Sequence, residues 1–281
     1  MLLALSTPVA AQTGTVNLRE IRTYYESAGS GRVVVLLHGF ALNLREWDDQ
    51  MKALSPHYRV IAYDRRGFGK SNGFPDPSAE PDDLRELLDS LGVRSAVLVG
   101  HSAGAGVALR FALAFGDRVD GLVLYPGPPL PGFPIPPSAP HPMARVQPIA
   151  QRYGMDSVWK FVASLPMFWN PPNRPDIEER IRAMLATYDG RDLLQGRNPS
   201  GRYPPPTFEK VKGLRTPTLF IGGEREWPHA LLVADSMARW MPSARSVVIP
   251  GGAHGVHLAE PERFNAALVE FLRSLPPERQ R

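Results

Sequence analysis

Cysteine is absent from the 281 residues. That excludes a thiol nucleophile, thiolate metal sites and disulfides; it leaves the compartment open, because a chain of this length needs no covalent staple. Lysine is scarce, 5 residues against 27 arginines, and the net charge is only +4. The basic residues are spread along the chain, with no stripe and no reading module of the kind nucleic-acid binders carry, so nucleic acid is not the expected partner. Long apolar runs are lacking too. None approaches the ~20 residues a membrane helix needs, so stable membrane association is not expected. No internal repeat is evident.

What is present is an ordinary globular composition, 43% hydrophobic and 21% charged, with 30 prolines and 25 glycines unevenly placed. Residues 1–12 read as the back half of a secretory signal peptide: apolar Leu2 to Leu5, then small residues at Val9-Ala10-Ala11 with the spacing of a cleavage site. On that reading the protein is secreted or periplasmic; without it, cytoplasmic.

Short β-branched runs alternate with helical patterns from there on. Val33–Leu37, Arg59–Tyr63, Ala96–Val99, Val119–Tyr125, Thr218–Ile221 and Ser246–Ile249 read as buried strands, after a strand-like start at Ile21–Tyr25. Leu44–Leu54, Pro81–Leu91, Ala103–Phe115 and Pro261–Leu272 read as helices. Such alternation predicts an α/β fold with a mostly parallel sheet flanked by helices. One stretch breaks the rhythm. Pro126 to Pro148 is dense in proline, two or three amphipathic helices follow (Met143–Tyr153, Asp156–Leu165, Pro175–Tyr188), and Pro204-Pro205-Pro206 leads back. The expected organisation is a core of 13–125 and 213–281 with a helical cap insertion at 126–212.

Gly100-His101-Ser102-Ala103-Gly104 is a G-x-S-x-G motif where a strand runs into a helix, the context a nucleophile elbow requires. A lone hydroxyl is a poor nucleophile, so Ser102 needs a base and an orienting group. His254, after a strand and a glycine-rich turn, arrives at the same sheet edge as Ser102, with His257 as the fallback. His101, next to Ser102, should point elsewhere, and His38 should make a structural hydrogen bond. Gly69-Lys70-Ser71 is no phosphate loop, because Asp64 stands where that loop needs glycine. His254 and His257 lack the further ligands of a metal site.

These motifs together resemble the α/β-hydrolase superfamily across residues 16–275. Leu36-Leu37-His38-Gly39-Phe40 is similar to its strand-end H-G-F. Asp64-Arg65-Arg66-Gly67-Phe68-Gly69-Lys70-Ser71 is similar to its D-x-R-G-x-G-x-S loop. Gly251-Gly252-Ala253-His254 with Glu260-Pro261-Glu262-Arg263-Phe264 is similar to its catalytic-His segment. The resemblance implies a serine esterase or lactonase with Ser102 as nucleophile, His254 as base and an acid after Thr218–Ile221. Glu226 occupies the position where the family usually has Asp, and Glu224 is its competitor. Main-chain N–H groups of Phe40 and Ala103 would form the oxyanion hole.

Ala41, Trp159, Phe168, Trp227 and His257 are candidate substrate-binding residues. No cofactor is implied, and the partner is a small-molecule ester or lactone of a monomer or homodimer. The same residues could instead support cofactor-free perhydrolysis, as in haloperoxidase-like members, or hydrolysis of a C–C bond; a non-catalytic ligand receptor is the reading from another class.

Overall fold

The computed structural model describes residues 11–135, 141–165, 174–196 and 200–277. Eight strands form one sheet: β1 (Gln12–Asn17), β2 (Arg22–Ala28), β3 (Val33–Leu37), β4 (Arg59–Tyr63), β5 (Ala96–His101), β6 (Val119–Tyr125), β7 (Thr218–Gly223) and β8 (Ala244–Ile249). Their order is β1-β2-β4-β3-β5-β6-β7-β8. The β1–β2 and β2–β4 pairs are antiparallel, and every pair from β4 to β8 is parallel. The helices are α1 (Asp48–Leu54), α2 (Glu80–Ser90), α3 (Ala103–Ala114), α4 (Val146–Tyr153), α5 (Met155–Ala163), α6 (Pro175–Leu185), α7 (Arg191–Gln195), α8 (Phe208–Lys212), α9 (Pro228–Trp240), α10 (Val256–Ala259) and α11 (Pro261–Ser274).

The central strands are nearly unbroken Val, Leu and Ile because both faces are covered. Val35 and Leu37 point to one side, into a core shared with Leu84 and Leu87 of α2, Val107 and Phe111 of α3, and Val233 and Met237 of α9. Val34 and Leu36 point to the other, against Trp47, Leu54 of α1, and Phe264 and Leu268 of α11. A parallel strand needs a crossover to return, and these helices supply it.

Several elements and boundaries differ from the sequence reading. Gln12 pairs with Ser27 in β1, so the ordered body includes the last residue assigned to the leader, residues 1–10 of which lie outside the described ones. The helix α9 was not anticipated, although Ala230, Val233, Ala234 and Met237 form its buried face after Pro228 at its first turn. The 126–212 insertion is also narrower as a separate unit than its sequence limits. Leu130, Phe208 and Val211 at its two ends belong to the main core. Its middle, α4 to α7, forms small clusters of its own and packs on the loops after β3 and β4 through Leu42, Ala41 and Phe68.

Candidate active site

At the carboxyl end of β5 the chain reverses into α3 through Ser102, whose φ of 52° and ψ of −112° lie where a side-chain-bearing residue is strained. Two glycines make that turn possible. A Cβ on Gly104 would stand 2.2 Å from the Leu37 carbonyl oxygen, and one on Gly100 would stand 2.6 Å from Ala105 Cα. The Ser102 amide donates to the Tyr125 carbonyl of β6 at 2.8 Å, which ties the strained residue to the next strand. Such strain persists only where the surroundings over-determine it. Ala103 opens α3, so its N–H has no partner inside the helix.

Glu226 follows β7 and His254 follows β8. The His254 Nδ1 and Glu226 Oε2 atoms lie 2.9 Å apart, both side chains buried. Glu226 Oε1 accepts from the Trp227 amide at 2.8 Å. Burial pushes the Glu226 carboxyl pKa up, but the attraction of His254 and the hydrogen bonds from that ring and from the Trp227 amide outweigh it, so the group sits below its ordinary value. An ionised carboxylate only accepts, so Nδ1 is the donor of this pair and Nε2 is the ring nitrogen left to face the cavity side. Glu224 is elsewhere: exposed, its Oε2 accepts from the Gly251 amide at 2.9 Å and braces the loop before His254.

Ser102, Glu226 and His254 line one cavity of about 950 Å³, together with Phe40, Ala103 and Trp227. Ala41 and Trp159 line a smaller recess that shares Phe40, Ser102 and His254 with it. Of the expected substrate-binding residues, Phe168 lies outside the described residues. His257 requires correction. It is fully buried, not at the cavity, and its ring packs 4.9 Å from Trp47.

His257 belongs to a polar cluster behind the site that the sequence reading missed. Its Nε2 lies 2.9 Å from Oε1 of Glu46, a fully buried carboxylate, and its Nδ1 meets the Tyr125 hydroxyl. The same Glu46 oxygen meets His101 Nδ1, while Glu46 Oε2 accepts from the Gly39 amide at 2.8 Å. His101 Nε2 faces the His254 carbonyl oxygen at 3.1 Å. Both His101 nitrogens therefore face oxygen atoms. Burial pushes the Glu46 carboxyl pKa up, but the two imidazoles draw it far below the carboxylate range. Burial lowers His257 to about 4 in spite of Glu46. Among the described residues Glu46, His101 and His257 are the group whose ligand atoms gather within 4.8 Å, and Glu46 contacts both rings directly. The cluster braces both edges of the site, the turn after β3 through Gly39 and the His254 loop through its carbonyl.

A second brace holds the same turn. The Arg65 amide donates to His38 Nε2 at 2.9 Å, His38 Nδ1 lies 2.8 Å from the Gly39 carbonyl oxygen, and Arg65 Nη1 donates to the His38 carbonyl at 2.9 Å. Arg65 is itself clamped by Glu80 through two bonds of 2.7 and 2.8 Å. Desolvation and the neighbouring Arg65 charge lower His38 to about 3, so the ring is neutral, accepting at Nε2 and donating at Nδ1. Asp64 accepts from the Leu44 and Lys70 amides, and Gly69 passes so close that a Cβ would stand 2.3 Å from the Asp64 carboxylate.

A mostly parallel sheet capped by a strained serine, with a carboxylate-bound histidine three strands away, defines a hydrolase of the α/β class. Residues 34–267 match the alpha/beta hydrolase family, and the chain belongs to it. It is 29% identical over 265 residues to the non-heme chloroperoxidase CPO-A1 of Kitasatospora aureofaciens, an alignment covering 90% of this chain and 96% of that one. Among solved structures it is similar to a thermophilic esterase from Thermogutta terrifontis (TM-score 0.74, 29% identity, 93% of this chain and 98% of the other). The fold is also that of the enol-lactonase from Burkholderia xenovorans LB400 (TM-score 0.78, 22% identity, 93% and 100%).

Proposed function

We propose that this hydrolase cleaves carboxylic esters or lactones through an acyl-enzyme. Ser102 Oγ attacks the carbonyl carbon as His254 Nε2 takes its proton, and Glu226 holds the ring with Nδ1 protonated and stabilises the imidazolium that forms. The Phe40 and Ala103 amides would receive the developing oxyanion; a donor in that role contributes roughly 2.7–4 kcal/mol in other enzymes. The imidazolium then protonates the leaving alcohol, and a water activated by the same Nε2 releases the acid and restores Ser102. None of these steps needs a cofactor.

The observation that carries the reading is the buried Glu226–His254 pair sharing a cavity with a serine held at positive φ. A fluorophosphonate tests it directly: we expect stoichiometric labelling that disappears in Ser102→Ala and His254→Ala, and an unlabelled wild-type protein would return the chain to the ligand-receptor reading. Relatives with other activities make the bond cleaved a separate question. p-Nitrophenyl esters, lactones and a peracid-formation assay, run side by side, should show ester or lactone turnover well above perhydrolysis.

A further inference from the structure

We infer that the ester or lactone taken by this site carries a carboxylate and that Arg110 is the residue that recognises it. The inference rests on the hydrolase reading above and names its substrate class. Arg110 lies on α3, the helix that Ser102 begins. Ala103, Gly106 and Arg110 follow one another at helical spacing, and all three line the Ser102 cavity. Among the described residues of that lining, Arg110 and Glu226 are the two outside the histidines that ionise, and Glu226 is committed to His254.

Arg110 contrasts with the other arginines near the site. Arg65 and Arg66 are each gripped by two bonds from a buried carboxylate, Glu80 and Asp83. Among the described residues no carboxylate lies within ion-pairing distance of Arg110. Its hydrogen bonds go to carbonyl oxygens, Nε to Tyr203 and Nη1 to Gly106, each at 3.1 Å. They fix the guanidinium plane and use two of its five N–H groups, which leaves donors for a planar anion. A Cβ on Gly106 would stand 3.2 Å from Nη1, so the group lies close against the helix there.

The cavity it lines is largely apolar, with Pro77, Pro129, Pro205 and Pro206 among its walls. Burial lowers the Arg110 pKa, and the distant Glu80 and Asp76 offset this only in part. A cation so placed lacks a close counter-charge that a substrate carboxylate would supply. Gly106 and Arg110 stand three and seven residues beyond Ala103, which puts the guanidinium roughly 5–10 Å along the helix from the elbow. That is the reach of a short dicarboxylic acid chain.

The test compares p-nitrophenyl hemiesters of adipic and pimelic acid with the uncharged hexanoate and heptanoate, in wild type, Arg110→Met and Arg110→Lys. We expect wild type to favour the charged ester by about tenfold or more in kcat/KM. Arg110→Met should lose that preference through a KM raised more for the charged than for the neutral esters, Arg110→Lys should keep part of it, and salt should weaken it. 4-Acetoxybenzoate against 4-acetoxytoluene repeats the comparison with the charge on the leaving group. No charge preference in either pair overturns the inference. So does an Arg110→Met variant that loses both ester classes equally, which would make Arg110 a strut to Tyr203. If wild type cleaves neither class and takes no fluorophosphonate label, the hydrolase reading itself fails.

Discussion

Glu224 and Glu226 differ by two positions and by everything that decides a role. One is solvated and holds a loop amide; the other is buried against His254. Glu226→Gln keeps the shape but offers an amide that can donate to Nδ1 and favour the wrong tautomer. We expect a loss of roughly 10²–10⁴ in kcat with little change in unfolding midpoint, and a loss of less than roughly threefold for Glu224→Gln. Steady-state kinetics on one activated ester decides it, and the reverse ranking would transfer the role to Glu224. The buried Glu46 makes a different demand. Glu46→Gln leaves two imidazoles facing an amide, so urea unfolding should show a stability loss of roughly 1–3 kcal/mol.

Elements bring those residues into range. The elbow depends on close approach between α3 and β3 at Gly104. In Gly104→Ala the new methyl would meet a backbone oxygen at 2.2 Å, so the helix must shift. We expect a destabilisation of roughly 1–3 kcal/mol in urea melts, with activity falling faster than stability because Ser102 is re-aimed. A variant as stable and active as wild type would show that the approach is looser than drawn.

Most elements were legible because each central strand is a continuous apolar run; Val33–Leu37, Arg59–Tyr63 and Val119–Tyr125 match their strands end to end. β1 was not, since Gln12-Thr13-Gly14-Thr15 buries little and becomes a strand only because β2 offers it an edge. Helix α9 had its periodic apolar face in plain view, in a stretch that sequence reading treated only as the way to the acid.

The whole molecule gathers polar groups into a dry interior, and that has a pH signature. His38 and His257 are held neutral by burial, at about 3 and about 4 against about 6.5 for an exposed imidazole. Between those values the unfolded chain binds more protons than the folded one, so stability rises with pH. From pH 7 down to pH 5 each ring should remove about 2 kcal/mol. Chemical unfolding at the two pH values measures this, and His257→Gln should flatten part of the slope. A stability unchanged over that window would mean the rings are not neutral inside.

By itself the amino-acid sequence determined the alternation of strand and helix, the elbow at Ser102 and the arrival of His254 at the same sheet edge, because these are written in local patterns: runs, glycines and a motif of five residues. Tertiary structure alone decided which glutamate meets the imidazole, why His257 is walled in, and that Glu46 and Arg110 belong to the neighbourhood. Those facts depend on which strand ends lie side by side in the sheet and which face of α3 meets the cavity, distances between residues far apart in the chain that no local spacing encodes.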